Sequence, residues 1–390
     1  MDVLTFVFAA MGLQLAVLVL LWLLGHTHVL GGRGSESRPA DMPKAALIVP
    51  MTGNAPGMRE CLRSLLDQDY GNFEAWFVTA DDKDPAAELA RELCAQYPRA
   101  RWIESGYATR SSQKNHAILA ALGRVSADVA VFAFCDSSHK ADRRFLGNLI
   151  APIARGEADL AGGFHKVVPL DGAVGTIGML VTCLALHLMQ PIRLITQPWG
   201  GAMAISRKAF LEHDIETLWS TNIVDDFSLG PYLHTQKPKV VTYPVASACL
   251  STPIRGRSVA AWDAWLTRQL LYLKFCIPPG WIGATLAVFV LSAPPILAAC
   301  LLGGWALGLA SGCAALGAGA YLAGFLGLGL VFRRLSPRPV PVLAWLRGYY
   351  VTFCMLAWCF GRTFFTNTMR WRGIAYKVAW GGKVREVIRD

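Results

Sequence analysis

Long apolar runs near both ends of the chain constrain its fold more than any other feature. Residues 4–24 are apolar over about the length that spans the hydrocarbon core of a bilayer. Residues 280–302 and 305–332 are two further spanning candidates, with Gly303-Gly304 expected to form a tight turn between them. These runs account for a composition of 54% hydrophobic and only 16% charged residues, since a soluble domain carries about a quarter charged. The first run lacks a basic leader and a small-residue cleavage site, so a retained anchor is expected rather than a signal peptide.

The formal net charge is +10, and the basic residues gather beside the apolar runs. Arg33, Arg38 and Lys44 follow the first, and Arg333, Arg334 and Arg338 follow a later one. That is the pattern of cytoplasmic loops at an anionic membrane, and it places the following domain on the cytoplasmic face. No compact basic and aromatic platform forms, which excludes nucleic acid as a partner. An alanine- and arginine-rich composition associates the chain with a bacterial inner membrane. Residues 343–365 are apolar but carry Arg347 and Arg362. Spanning there would put the basic end of the chain outside, so an interfacial or re-entrant helix is expected. The ten cysteines contain no C-x-x-C pair and read as reduced, buried thiols.

Between the apolar ends the pattern alternates. Strand signals at 45–50, 74–79, 100–104 and 129–135 are separated by helical periodicity at 59–69, 85–97 and 113–122. This predicts an α/β fold with a mostly parallel, doubly wound sheet, whose ligands bind beyond the strand carboxyl ends. Residues 262–275 form an amphipathic, Trp- and Arg-bearing segment suited to an interface. Residues 172–189 suit a core helix and the wall of a lipid-acceptor cleft equally. The expected divisions are an anchor (1–25), a linker (26–44), a catalytic domain (45–260) and an interfacial helix (261–278). Membrane helices follow (279–366), two spanning and one spanning or re-entrant, and then a basic tail (367–390).

The acidic residues fall where this architecture puts ligands. Asp81 follows the second strand, where a carboxylate can accept hydrogen bonds from uracil or ribose; Asp84 before Pro85 suits a helix N-cap. Asp136 ends the most apolar strand and can give a hard oxygen ligand to Mg2+ or Mn2+. Asp225 and Asp226 are adjacent carboxylates that raise each other's pKa, and one can act as general base; acidic residues opening a helix are the plainer reading. Lys114 and Asn115 open a helix after a polar turn, a place suited to an anion. Trp199 with Gly200 and Gly201 allows close backbone approach to a sugar, or marks a strand bulge. His187 lies alone in an apolar stretch, as a core histidine or an acceptor contact.

In this order the residues resemble the ceramide glucosyltransferase family of inverting GT-A glycosyltransferases, over nearly the whole chain. The resemblance implies a nucleotide-binding role for Asp81, followed by Asp84-Pro85-Ala86, metal binding for Asp136 and general-base catalysis for Asp226. The family's (Arg/Gln)-x-x-Arg-Trp motif falls on Trp265-Leu266-Thr267-Arg268-Gln269, which keeps only Arg268. The Trp371-Arg372-Gly373 … Tyr376 … Gly381-Gly382-Lys383-Val384 segment is similar to the family's tail. Ser138 stands where many relatives carry a second metal-side aspartate. The implied reaction moves glucose from UDP-glucose to ceramide with inversion, with Arg268 and Trp265 handling diphosphate or acceptor. A hopanoid or diacylglycerol acceptor, or another UDP-sugar, would use the same chemistry. A catalytically silent lipid-binding protein is the alternative of a different class, against which stands the presence of Asp81, Asp136 and Asp226 together.

Overall fold

The computed structural model describes residues 3–31, 41–192, 195–236 and 244–389. Positions 32–40, with Arg33 and Arg38 of the expected linker, lie outside the described residues. Helix α1 (Val3–Leu30) runs past the expected end of the anchor at residue 25. It leads to β1 (Ala45–Pro50), α2 (Met58–Leu66), β2 (Phe73–Thr79), α3 (Pro85–Gln96), β3 (Ala100–Glu104), α4 (Gln113–Leu122) and β4 (Val131–Cys135). Then come α5 (Phe145–Ala154), β5 (Leu160–Pro169), α6 (Val174–Met189), β6 (Ala202–Ser206), α7 (Arg207–Glu212), α8 (Ile215–Thr221), α9 (Asp226–Gln236) and β7 (Pro244–Ile254). Helices α10 (Val259–Cys276), α11 (Pro278–Ala306), α12 (Gly312–Arg333) and α13 (Val342–Thr363) precede β8 (Thr368–Trp371), β9 (Ile374–Val378) and β10 (Val384–Arg389).

Among the described residues the main sheet has seven strands in the order β3-β2-β1-β4-β6-β5-β7. The expected mostly parallel α/β sheet is therefore the observed one. Its strands are short apolar runs because both faces are covered. Leu62, Leu65 and Leu66 of α2, Leu89 and Leu93 of α3 and Leu149 of α5 fill one side. Ile118 of α4, Phe210 of α7 and Trp219 of α8 fill the other. Asp84 caps α3, its carboxylate accepting the Ala86 N–H at 2.9 Å with Pro85 in the first turn. Strand β6 runs antiparallel to β4 and pairs Ala202 with Cys135. That reversal sets the Gly200-Gly201 pair beside the carboxyl end of β4, and so beside Asp136.

A second, apolar layer joins α1, α6, α10, α11, α12 and α13 around Trp262, Phe325, Trp345 and Tyr349. Helix α6 is a packed core helix. A Cβ at Gly178 would overlap the buried Trp262 ring, one at Gly25 would meet Leu188, and one at Gly348 would meet Ile177. Small residues bring the helix axes close, as in membrane bundles. Among the described residues α1, α11, α12 and α13 are long and apolar enough to cross a membrane. Gly303 and Gly304 do not form the expected turn: both lie within α11, and the chain reverses after it at Leu307 and Gly308, the latter at φ 76°.

Both ends of α13 are tied to elements that flank the catalytic domain. Arg333 Nε donates to Val340 O at 2.7 Å just before it. At its far end Lys274 of α10 donates to Thr363 O at 2.6 Å, Thr366 O at 3.0 Å and Asn367 Oδ1 at 3.1 Å, which uses all three ammonium protons. The segment expected as a basic tail is built as a three-stranded antiparallel sheet, β10-β9-β8. Met369, Tyr376 and Val378 pack it on Leu271 and Phe275 of α10 and on Ile223 and Val224. Alternating apolar residues in 374–378 carry that pattern in the sequence, and the many arginines around them obscure it.

Candidate active site

Lys114 stands at the centre of three carboxylates. It lies in the first turn of α4, whose N-cap Ser112 accepts the Asn115 N–H at 3.1 Å. Its Nζ is 2.8 Å from Asp136 Oδ1, 3.0 Å from Asp225 Oδ2 and 3.1 Å from Gly200 O. Asp225 is 1% exposed, and its carbonyl accepts Trp219 Nε1 and Ser228 Oγ at 3.0 Å each. Asp226 opens α9; its Oδ2 accepts the Gly200 N–H at 2.9 Å and its Oδ1 the Phe227 N–H at 2.6 Å. A Cβ on Gly200 would overlap the Asp225 carboxylate, and one on Gly201 would overlap the Trp199 ring. The glycine pair is therefore required by the carboxylates and Trp199, whatever else approaches it.

The charges sort themselves by surroundings. Burial would lower the Lys114 pKa, but Asp136, Asp225 and Asp226 outweigh it and hold the ammonium above the ordinary lysine value. Partial burial would raise Asp136, yet Lys114 and then His139 hold it below the usual carboxylate range. Asp226 moves the other way: burial, then the Asp225 charge, push it up to about 7. The pair thus contains a carboxyl poised to exchange a proton near neutrality.

Arginines from distant parts of the chain border the same strand ends. An open pocket of about 390 Å³ is lined by Arg268 of α10 and by Arg370, Trp371 and Arg372 of the terminal sheet. Arg372 donates to Thr52 O, just beyond β1. Burial lowers the pKa of its guanidinium, while the charges of Asp84 and Asp136 act to raise it. Arg372 and Gly373 are the two central residues of the β8–β9 hairpin, at φ 49° and 77°. Two left-handed positions in a two-residue turn favour Asn-Gly, so an arginine there carries backbone strain to present its charge. Sequence reasoning noted this Trp-Arg-Gly segment but assigned it no role; an arginine where a turn calls for asparagine is the signal. The sheet also braces the loop that carries Asp225, with Ile223 N donating to Gly382 O at 2.9 Å, and the start of α4, with Gln113 N donating to Tyr376 Oη at 3.2 Å.

Asp81 lies past β2, two strands or about 10 Å from Asp136 by sheet spacing. Its Oδ1 accepts the N–H groups of Lys83 at 3.1 Å and Asp84 at 2.9 Å, and its Oδ2 meets the Tyr107 hydroxyl. Asn115 does not face the cleft. It is fully buried, and its amide donates to Trp219 O at 3.3 Å and Asn222 O at 3.1 Å, anchoring the loop that carries Asp225. Trp199 stacks on His165, with centroids 4.5 Å apart and planes at 16°. His187 is buried away from the carboxylates, against Phe164 and His28, and lines a separate cavity of about 180 Å³ with His165, Lys166 and Arg334. Trp265 sits one turn before Arg268 and packs on the apolar layer.

Asp136, 36% exposed, is the carboxylate that opens to the cleft and could hold a cation. Among the described residues no group of three or more His, Cys, Asp or Glu side chains could cage a metal. That donor set fits a divalent ion that keeps open positions for a nucleotide's phosphates and for water.

The sequence matches glycosyl transferase family 21 over residues 4–384. The uncharacterized glycosyltransferase EpsJ of Bacillus subtilis (strain 168) is 28% identical over 126 residues, 32% of this chain and 35% of that protein. The chain thus spans about a third of the length of the curated relative it matches. The solved mannosyltransferase PcManGT from Pyrobaculum calidifontis, in complex with GDP-Man and Mn2+, superposes with a TM-score of 0.55 at 15% identity. The likeness covers 93% of this chain and 99% of that one, and it establishes a shared GT-A type fold. With a family match running almost end to end, the chain belongs to glycosyl transferase family 21, the ceramide glucosyltransferase family.

Proposed function

We propose that the enzyme transfers a sugar, glucose by family resemblance, from a UDP-sugar to the hydroxyl of a membrane lipid, ceramide by the same resemblance, with inversion. The observation that carries this reading is Asp226, a buried carboxyl raised to about 7 in one cluster with Asp225, Lys114 and Asp136. Asp226 takes the proton of the acceptor hydroxyl as that oxygen attacks the anomeric carbon; the bond to the diphosphate breaks and UDP leaves. Arg268 and Arg372 offset the charge that develops on the leaving diphosphate. Asp136 would hold a divalent cation, which when bound neutralises the same diphosphate. Asp81 would position the nucleotide at the end of β2. The GDP-Man and Mn2+ bound by the Pyrobaculum enzyme support a nucleotide-sugar donor and a divalent cation here.

A lipid acceptor is supported by α1, α11 and α12, since a two-tailed lipid is costly to draw through water. The terminal sheet docks on the catalytic domain, so the end of α13 lies on that side. Its beginning follows α12, which returns from the span begun by α11. This favours an interfacial α13 and a domain facing the cytoplasm, where nucleotide sugars are made. The decisive assay is transfer from labelled UDP-sugars to ceramide, diacylglycerol and a hopanoid in membranes, with Mg2+ or Mn2+. Product on ceramide alone supports the assignment; silence on every pair removes it.

Two results are expected in that assay. The value of kcat/KM should rise about tenfold per pH unit below 7 and level off above it, because only ionised Asp226 can accept a proton. A profile flat from pH 5.5 to 8.5 would remove Asp226 as base. Arg372→Asn should relax the left-handed turn while raising donor KM about ten- to a hundredfold, the loss of one charge-assisted contact. Initial rates at varied donor concentration, with circular dichroism of the variant, check both halves.

A further inference from the structure

The two oxygens of Asp136 are used differently. Oδ1 is paired with Lys114 at 2.8 Å, while Oδ2 faces Nε2 of His139 at 3.8 Å. That separation is too long for a hydrogen bond. His139 is otherwise firmly held. Its loop is bridged to β7 by paired main-chain bonds between Lys140 and Ser251, at 2.8 Å each. Its Nδ1 is 2.7 Å from Thr252 Oγ1, which is also 2.7 Å from His165 Nδ1. His165 Nε2 in turn lies 3.7 Å from Cys183 Sγ.

A threonine hydroxyl has one proton and two acceptor sites, so the row can run in either sense, and the sense that leaves His139 Nε2 free for a cation is the following. His139 Nδ1–H donates to Thr252, the Thr252 hydroxyl donates to His165 Nδ1, and His165 Nε2–H points at the Cys183 sulfur. His139 Nε2 then presents a lone pair toward the space that Asp136 Oδ2 also faces. In the opposite sense Nε2 carries the proton and faces Asp136 Oδ2 across the same 3.8 Å, and a cation entering between them displaces that proton. Lone pairs of nitrogen and carboxylate oxygen repel when empty and are reconciled by a cation between them. An imidazole whose other N–H is anchored by a hydroxyl is how metal-ligating histidines are oriented.

We propose that His139 joins Asp136 as a protein ligand of the divalent cation, and that its nitrogen makes the site prefer Mn2+ to Mg2+. This rests on the reading of Asp136 as the cation-holding carboxylate. It also gives the site a second donor despite Ser138, which supplies no carboxylate. Mg2+ favours oxygen donors in a tight octahedron, whereas imidazole suits later first-row ions and is accepted by Mn2+.

The test uses the whole chain in lipid nanodiscs with Mn2+ and UDP, read by pulsed electron paramagnetic resonance and by Mn2+ titration. Wild type should show a 14N coupling to Mn2+ that His139→Ala abolishes. Thr252→Val should weaken Mn2+ binding by about tenfold or more, and Thr252→Ser should keep it. His139→Asp should narrow the preference for Mn2+ over Mg2+ in supporting UDP binding. Mn2+ that binds wild type with UDP but without nitrogen coupling, or a coupling that persists in His139→Ala, overturns the proposal and leaves Asp136 standing. Unchanged Mn2+ binding in Asp136→Asn overturns both.

Discussion

Asp226→Asn is expected to lower kcat about a thousandfold while donor KM changes little, the mark of a group that acts on the reacting proton rather than on binding. The amide cannot take a proton at neutral pH, yet its shape is that of the carboxylate. It still accepts one of the two N–H groups, from Gly200 and Phe227, that Asp226 accepts. The same substitution should change how stability depends on pH. In the folded protein burial and Asp225 raise Asp226 from 3.8 to about 7. A group shifted in that direction contributes stability fully below its unfolded pKa, and the contribution is lost as pH rises through the folded one. Wild type should therefore lose thermal stability between pH 4 and 7, and Asp226→Asn should lose less over that window. Single-turnover transfer and melting curves at both pH values check the two halves. A variant keeping a tenth of the wild-type kcat would point to another base.

The strand ends were legible because the chemistry there is local. Asp136 follows five buried residues of a strand, at the carboxyl end where an α/β sheet presents side chains to its cleft. The same locality explains Asp84 as a helix cap. What the sequence did not carry was contact over long separations. Asn115 stands beside Lys114 at a helix start, and only the tertiary structure turns one into the carboxylates and the other into the interior. The antiparallel entry of β6 sets Gly200 against Asp225 and Asp226, which no periodicity in 200–206 announces. The arginines of the terminal sheet were hidden for another reason. A basic segment after a membrane helix looks the same whether it lies on lipid or folds back. Arg372 reaches Thr52 across 320 residues, a pairing that only the docked sheet makes visible.

Lys114→Met should be the most damaging single change in the site, because it removes the cation shared by three carboxylates. Asp225 has little recourse, being 1% exposed, so a buried charge is left without its partner at a cost of about 3 kcal/mol or more. Activity should fall as well, since without Lys114 the Asp226 carboxyl moves further above 7 and is less often ionised. The pH dependence tells this account from a loss of packing. Removing the ammonium raises the folded pKa of its carboxylates, so the variant is destabilised most where they must be ionised. The gap in melting temperature from wild type should be widest near pH 8 and should close as pH falls toward 4 and the carboxyls protonate. Adding Asp225→Asn to Lys114→Met removes the stranded charge and should restore most of the stability, while transfer stays low because Asp136 and Asp226 remain uncompensated. A gap that does not vary with pH, or a double variant no more stable than the single one, would mean that Lys114 supports this site by its volume and not by its charge.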